Sequence, residues 1–257
     1  MPGTIKIAIA AIISPKETFQ SYRDLLDFIS EQIGRPIQLV QRQTYQEVND
    51  LIEDNKIDAA FVCTGAYVKG HDKFGMKTLV APVVNGATVY HSYIIVNQDS
   101  PINELEDLQD KVFAFTDPLS NTGKAAPTDM LARFGKTPET FFSKTIFTYS
   151  HDNSIKAVAN NVVDGAAVDS LVWEYLNHYT PAETSHTRII GRSEPYGIPP
   201  VVIPSGIDPS LQKKLLEVFL NIHKDPAGKK ILNKIMIERF VEVEDSIYDS
   251  VRKMTKE

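Results

Sequence analysis

Apolar, β-prone runs alternate with amphipathic helical stretches along the first third of the chain, and this alternation constrains the fold more than any other feature. Strands are expected at 5–13, 37–42 and 59–63, with helices at 17–33, 45–54 and 66–73. Such an order implies parallel strands joined by right-handed helical crossovers, hence an α/β fold. In the first helix Tyr22, Leu25, Leu26, Ile29 and Ile33 recur at helical spacing; Gly34 follows as a stop signal, with Pro36 beyond. The pattern returns downstream, with strands at 111–115, 142–149 and 165–169 and helices at 124–134, 154–160 and 171–179.

Two extended runs interrupt this order, T-V-Y-H-S-Y-I-I-V at 88–96 and I-P-P-V-V-I-P at 198–204. They are read as crossings between two lobes, one formed by 1–88 plus 204–257 and the other by 97–197. Helical patterns at 209–223, 226–237 and 244–254 are expected to return to the first lobe. A chain of 257 residues is long enough for two such lobes.

Composition then limits the partners. A net charge of −6 argues against nonspecific nucleic-acid binding, which relies on clustered Lys and Arg neutralising phosphates. An acidic total leaves room for a small anion, because a site of neutral amides and hydroxyls needs no positive field. No run approaches the roughly 20 apolar residues of a membrane span. The opening residues show no charged segment followed by a cleavage site, so any export signal is expected to lie outside the sequence read here. Cys63, within A-A-F-V-C, reads as a buried structural thiol.

The chemically distinctive stretch is D-P-L-S-N-T-G at 117–123, between an apolar strand and a helix. Ser120, Asn121 and Thr122 can each cap that helix, and Gly123 allows close approach to the backbone. Short hydroxyls and unpaired amides there make either an anion cradle or an ordinary capped helix start. Pro127 limits how early the helix can begin. Asp169 and Ser170 end a strand where open α/β sheets place ligands; Asp169 reads equally as a ligand contact and as the cap of the next helix. Ser14 reads as the cap of the first helix or as a residue facing a cleft. Trp173 and Tyr175 read as helix packing, and Tyr67 as cleft wall or core.

The order of I-S-P-K-E-T-F, D-A-A-F-V-C-T-G-A-Y, Y-I-I-V-N-Q-D-S-P-I, D-P-L-S-N-T-G, Y-S-H-D-N-S, D-G-A-A-V-D-S and G-I-P-P-V-V-I-P resembles the phosphate, phosphite and phosphonate binding proteins of ABC importers. The resemblance covers nearly the whole chain. It implies a two-lobed type II periplasmic binding protein fold with a ligand cleft between lobes and two crossings. It also implies an extracytoplasmic location with or without a lipid anchor, a monomer, and either an ABC permease or a sensor kinase as partner. Carried over to matching positions, it implies ligand contacts from Ser120, Asn121, Thr122 and Gly123, from His151, and from Thr64 of the first lobe. The tyrosine of the pattern aligns with Tyr90, with Tyr93 or with neither. Asn121 stands where many relatives carry a hydroxyl. His151 can donate from one ring nitrogen when neutral or two when charged, and Asp152 beside it is a candidate to orient or charge it.

No G-x-S-x-G elbow, phosphate-binding G-x-x-x-x-G-K-[ST] loop or H-E-x-x-H motif is present. The six histidines are dispersed. The expectation is therefore a binding protein without cofactor or metal, with an enzyme on the same fold as the alternative class.

Overall fold

The computed structural model of the chain describes residues 3–12 and 15–255 and, within the first helix, side chains from Tyr22 onward. Ser14 and the end of the first expected strand lie outside the described residues. The remainder divides into two compact units.

The first unit is built from β1 (Ile5–Ile9), α1 (Pro15–Ile33), β2 (Ile37–Gln41), α2 (Tyr45–Glu53), β3 (Ala59–Phe61), α3 (Thr64–Phe74) and β4 (Lys77–Val83). The chain leaves this unit in β5 (Val89–Tyr90). The second unit then runs through β6 (Ser92–Asn97), β7 (Val112–Phe115), α4 (Ala126–Ala132), α5 (Pro138–Phe141), β8 (Lys144–Phe147), α6 (His151–Ala159), β9 (Gly165–Asp169), α7 (Ser170–Tyr179) and β10 (Thr187–Arg192). After β11 (Tyr196–Gly197) the first unit resumes with β12 (Val201–Ile203), α8 (Pro209–Asn221), α9 (Pro226–Lys234) and β13 (Arg239–Val241), and α10 (Asp249–Met254) closes the described chain.

In the first unit the strand order is β13-β4-β12-β3-β1-β2, with β1 parallel to both β2 and β3. Its core joins Ile5, Ile7 and Ile9 of β1 to Leu25 and Ile29 of α1, and to Leu215 and Phe219 of α8. Local chemistry sets the helix limits. Thr44 and Glu47 form a capping box before α2, and Asp208 and Asp225 cap α8 and α9, each with proline in the first turn.

The second unit has the order β10-β6-β9-β7-β8, in which β7, β8 and β9 are parallel and β6 runs antiparallel to β9. Strand alternation divides its core between two faces. Ile94 and Val96 pack with Phe113, Phe115, Leu131 and Phe142, while Tyr93 and Ile95 pack with Ile155, Val158, Val168 and Val172.

Several expectations shift. The 88–96 run is not one strand: it breaks at His91, and Ser92–Asn97 lies inside the second sheet, between β10 and β9. Likewise Val201–Ile203 lies inside the first sheet, and the paired segments β5 and β11 carry the passage between units. Part of the C-terminal segment, from Ser250 onward, groups with the second unit instead of the first. Strands β4, β10 and β13 were not expected. Each takes its place through antiparallel pairing with a distant segment, which local sequence does not display.

Candidate anion site at a parallel strand edge

The carboxyl ends of β7, β9 and β8 lead into 116–123, 169–170 and 148–151, so three of the sequence-marked segments emerge from neighbouring parallel strands. Open α/β sheets bind ligands at this edge.

In the loop after β7, Ser120 is the cap, its side chain accepting from the Gly123 amide at 3.0 Å. Asn121 and Thr122 stand within the first turn, which is wide: Asn121–Ala125 forms a π-helical turn ahead of α4, with Ala125 N–H donating to Ser120 O at 3.0 Å. The helix thus starts before the expected 124 despite Pro127. The fold supplies what the proline lacks. The carbonyls that a residue-127 amide would serve in an α or a π pattern are those of Gly123 and Thr122. They accept instead from Thr116 N–H at 3.1 Å and from the Ser92 hydroxyl at 2.6 Å.

Gly123 has a different reason from the one its sequence suggested. A Cβ there would lie 2.4 Å from Thr116 Oγ1 and 2.6 Å from Thr116 Cβ, so the absent side chain makes room for a neighbour in the fold. Gly123→Ala is expected to destabilise the chain by roughly 1–3 kcal/mol through this overlap, read as a lower urea midpoint at unchanged slope.

His151 is the first residue of α6 and is fully buried. The expected helix start at 154 was late because H-D-N-S has little local helical bias. The Asp169 backbone N–H donates to His151 Nδ1 at 3.0 Å, and Thr116 Oγ1 lies 3.1 Å from the same nitrogen. Because an amide can only donate, Nδ1 holds the lone pair and the proton of the neutral ring sits on Nε2. Nε2 has no hydrogen-bond partner. Burial drives the His151 pKa down to about 3 against a smaller opposing effect of Asp152, so the ring is a neutral donor. Asp152 itself faces Lys156 at 3.2 Å.

Two further buried hydroxyls at this edge lack partners, Thr122 Oγ1 and Ser150 Oγ. Ser150 was missed as a candidate although it lay inside Y-S-H-D-N-S; an S beside a helix start reads first as a cap. Thr116 and Ser92 were missed too, and nothing local marks them, because their roles depend on partners 30 or more residues away.

The remaining candidates divide. Tyr90 joins the loop, its hydroxyl accepting from Asn121 Nδ2 at 3.1 Å. Tyr93 does not share that bond: its hydroxyl donates to Glu174 at 2.9 Å, and burial with that hydrogen bond raises its pKa to about 12. Asp169 caps α7, accepting from Leu171 N–H at 2.7 Å, and burial lifts its carboxyl to about 7. Trp173 packs and donates to Thr187 at 3.1 Å. In the first unit Thr64 opens α3, and its buried hydroxyl donates to Gly197 O at 2.8 Å. Tyr67 is core, with its hydroxyl on Asp245 at 2.7 Å. Among the described residues no group of three or more His, Cys, Asp or Glu is placed to hold a metal ion, and no helix is long and apolar enough to cross a membrane.

Two α/β units, each with polar residues following parallel strands, make up the fold of type II periplasmic binding proteins. PhnD1 from Prochlorococcus marinus (MIT 9301), solved in complex with methylphosphonate, superposes with a TM-score of 0.90 at 18% identity, covering 100% of this chain and 98% of that one. The family described as "ABC transporter, phosphonate, periplasmic substrate-binding protein" matches residues 7–248, and the chain belongs to it. Among curated relatives, the phosphonates-binding periplasmic protein of Escherichia coli (strain K12) is 23% identical over 236 residues, 90% of this chain and 70% of that protein. The phosphate-import protein PhnD of Mycolicibacterium smegmatis (strain ATCC 700084 / mc(2)155) is 30% identical over 182 residues, 66% of this chain and 57% of that protein.

Proposed function

We propose that this protein binds a small phosphorus oxyanion (phosphate, phosphite or a small phosphonate) outside the cytoplasm and delivers it unchanged to the permease of an ABC importer. The observation that carries the reading is the set of buried polar atoms without partners, Thr122 Oγ1 and His151 Nε2 with Ser150 Oγ, at the edge of three parallel strands. Such atoms are disfavoured in a fold unless something outside it pairs with them. An oxyanion offers several acceptors to donors of this kind. Ser120, with its oxygen already accepting from Gly123, keeps a hydroxyl proton to donate, and Asn121 and Tyr90 form the adjoining wall.

Delivery of the ligand unchanged is supported by one feature of the same geometry. A general base needs an open lone pair, and that of His151 is already taken by the Asp169 amide.

Calorimetry with phosphate, phosphite, methylphosphonate and 2-aminoethylphosphonate tests the reading. At least one is expected to bind stoichiometrically. Absence of binding to all four would overturn it.

A further inference from the structure

Ser150 occupies the position where serine normally accepts from an amide of the first helical turn, yet its side chain makes no such bond. It is only 2% exposed, and its Oγ has no hydrogen-bond partner. The start of α6 is fastened by other means. His151 N–H donates to Ile12 O at 3.0 Å, Ser154 N–H donates to Ser150 O at 3.2 Å, and the Ser154 and Thr148 hydroxyls lie 2.6 Å apart. The fold therefore has no use for the Ser150 hydroxyl. Immediately after it, Nε2–H of His151 is a second buried donor without an acceptor. Both stand at the positive end of a nine-residue helix. The residue before them, Tyr149, holds a left-handed backbone (φ 60°), which is costly for a side chain of that size and fixes the direction in which the chain enters the helix.

We propose that Ser150 Oγ contacts the ligand, and that with His151 Nε2–H it forms a subsite for one oxygen of the bound oxyanion at the start of α6. The inference rests on the reading of the chain as a binder of small phosphorus oxyanions. An oxygen on phosphorus accepts from both donors, whereas a hydrogen or methyl group in the same place satisfies neither. The subsite thereby sets which substituent faces α6, and the hydrogen or methyl group of a phosphite or phosphonate is turned away from it.

The test pairs Ser150→Ala with Ser120→Ala and uses inorganic phosphate and methylphosphonate as probes, with thermal melts of the unliganded proteins. Ser150→Ala is expected to weaken the tighter probe by about tenfold, the effect of losing one hydrogen bond to a charged ligand. Its unliganded melting temperature should stay level or rise, because an unpaired buried hydroxyl has been removed. Ser120→Ala should lower both affinity and melting temperature, since that hydroxyl caps a helix. Parental affinity in Ser150→Ala, with His151→Asn weakened, would overturn the Ser150 contact and leave the oxyanion reading standing. A melting-temperature loss matching that of Ser120→Ala would show the hydroxyl to be structural and likewise overturn the contact. A parent protein that binds neither probe would overturn both.

Discussion

Replacing His151 with Asn is expected to raise the dissociation constant for the bound oxyanion by about a hundredfold while the unliganded fold persists, because a donor held in place by two neighbours loses little freedom on binding. Asn preserves the part of the ring that the fold uses: its carboxamide oxygen takes the place of Nδ1 and accepts from the Asp169 amide. What it lacks is the reach of Nε2–H. Calorimetry of the variant beside the parent, with urea unfolding of both, separates the two roles; unaltered affinity would remove His151 from the ligand contacts. The same geometry bears on pH. Burial holds the ring neutral down to about pH 3, so it contributes no charge to binding at neutral pH. Affinity corrected for the ligand's own ionisation is expected to show no step near the ordinary histidine value of 6.5. A step there, absent in His151→Asn, would mean that the imidazolium form binds.

The second large effect is in the acid stability of Asp169→Asn. His151 has a native pKa of about 3 against an ordinary 6.5, so between those values the unfolded chain holds the extra proton. Its contribution is fully present above pH 6.5 and is lost as pH falls toward 3. Asp169 has the opposite sign. Its native pKa of about 7 against an ordinary 3.8 means that the folded chain holds the extra proton between those values, and its contribution is lost as pH rises through 7. In the overlap, pH 3.8 to 6.5, the two cancel. Asn keeps the cap on α7 but cannot titrate, which exposes the His151 slope of about 1.4 kcal/mol per pH unit. Between pH 4 and pH 6 the stability of the variant relative to the parent is therefore expected to rise by about 3 kcal/mol. Urea unfolding across that range measures it; parallel curves for parent and variant would refute the opposed titration.

Tyr90 and Tyr93 show why only part of the site could be read from the chain. Both lie in one β-prone run, and sequence offers no way to choose between them. The break at His91 restarts the strand at Ser92, after which side-chain alternation sends Tyr93 to the face of Trp173 and Glu174. Tyr90, before the break, meets Asn121. Gly123 illustrates the same limit. A glycine beside hydroxyls suggested room for a ligand, and the room is filled by Thr116.

By itself, the sequence determined the α/β class, the order of most elements, and the fact that short polar residues follow the strands at 112–115 and 165–169. These properties depend on hydrophobic period and on chemistry within a few residues, which a linear chain displays directly. Tertiary structure alone decided that the proton of His151 sits on Nε2, that Ser120 caps its helix while Ser150 does not, and that a helix can run through Pro127. Each outcome depends on a hydrogen bond made or left unmade, and the partners lie far apart along the chain: 18 residues separate His151 from Asp169, and 35 separate it from Thr116. Pairing across such distances exists only once the parallel strands have brought their ends to one edge.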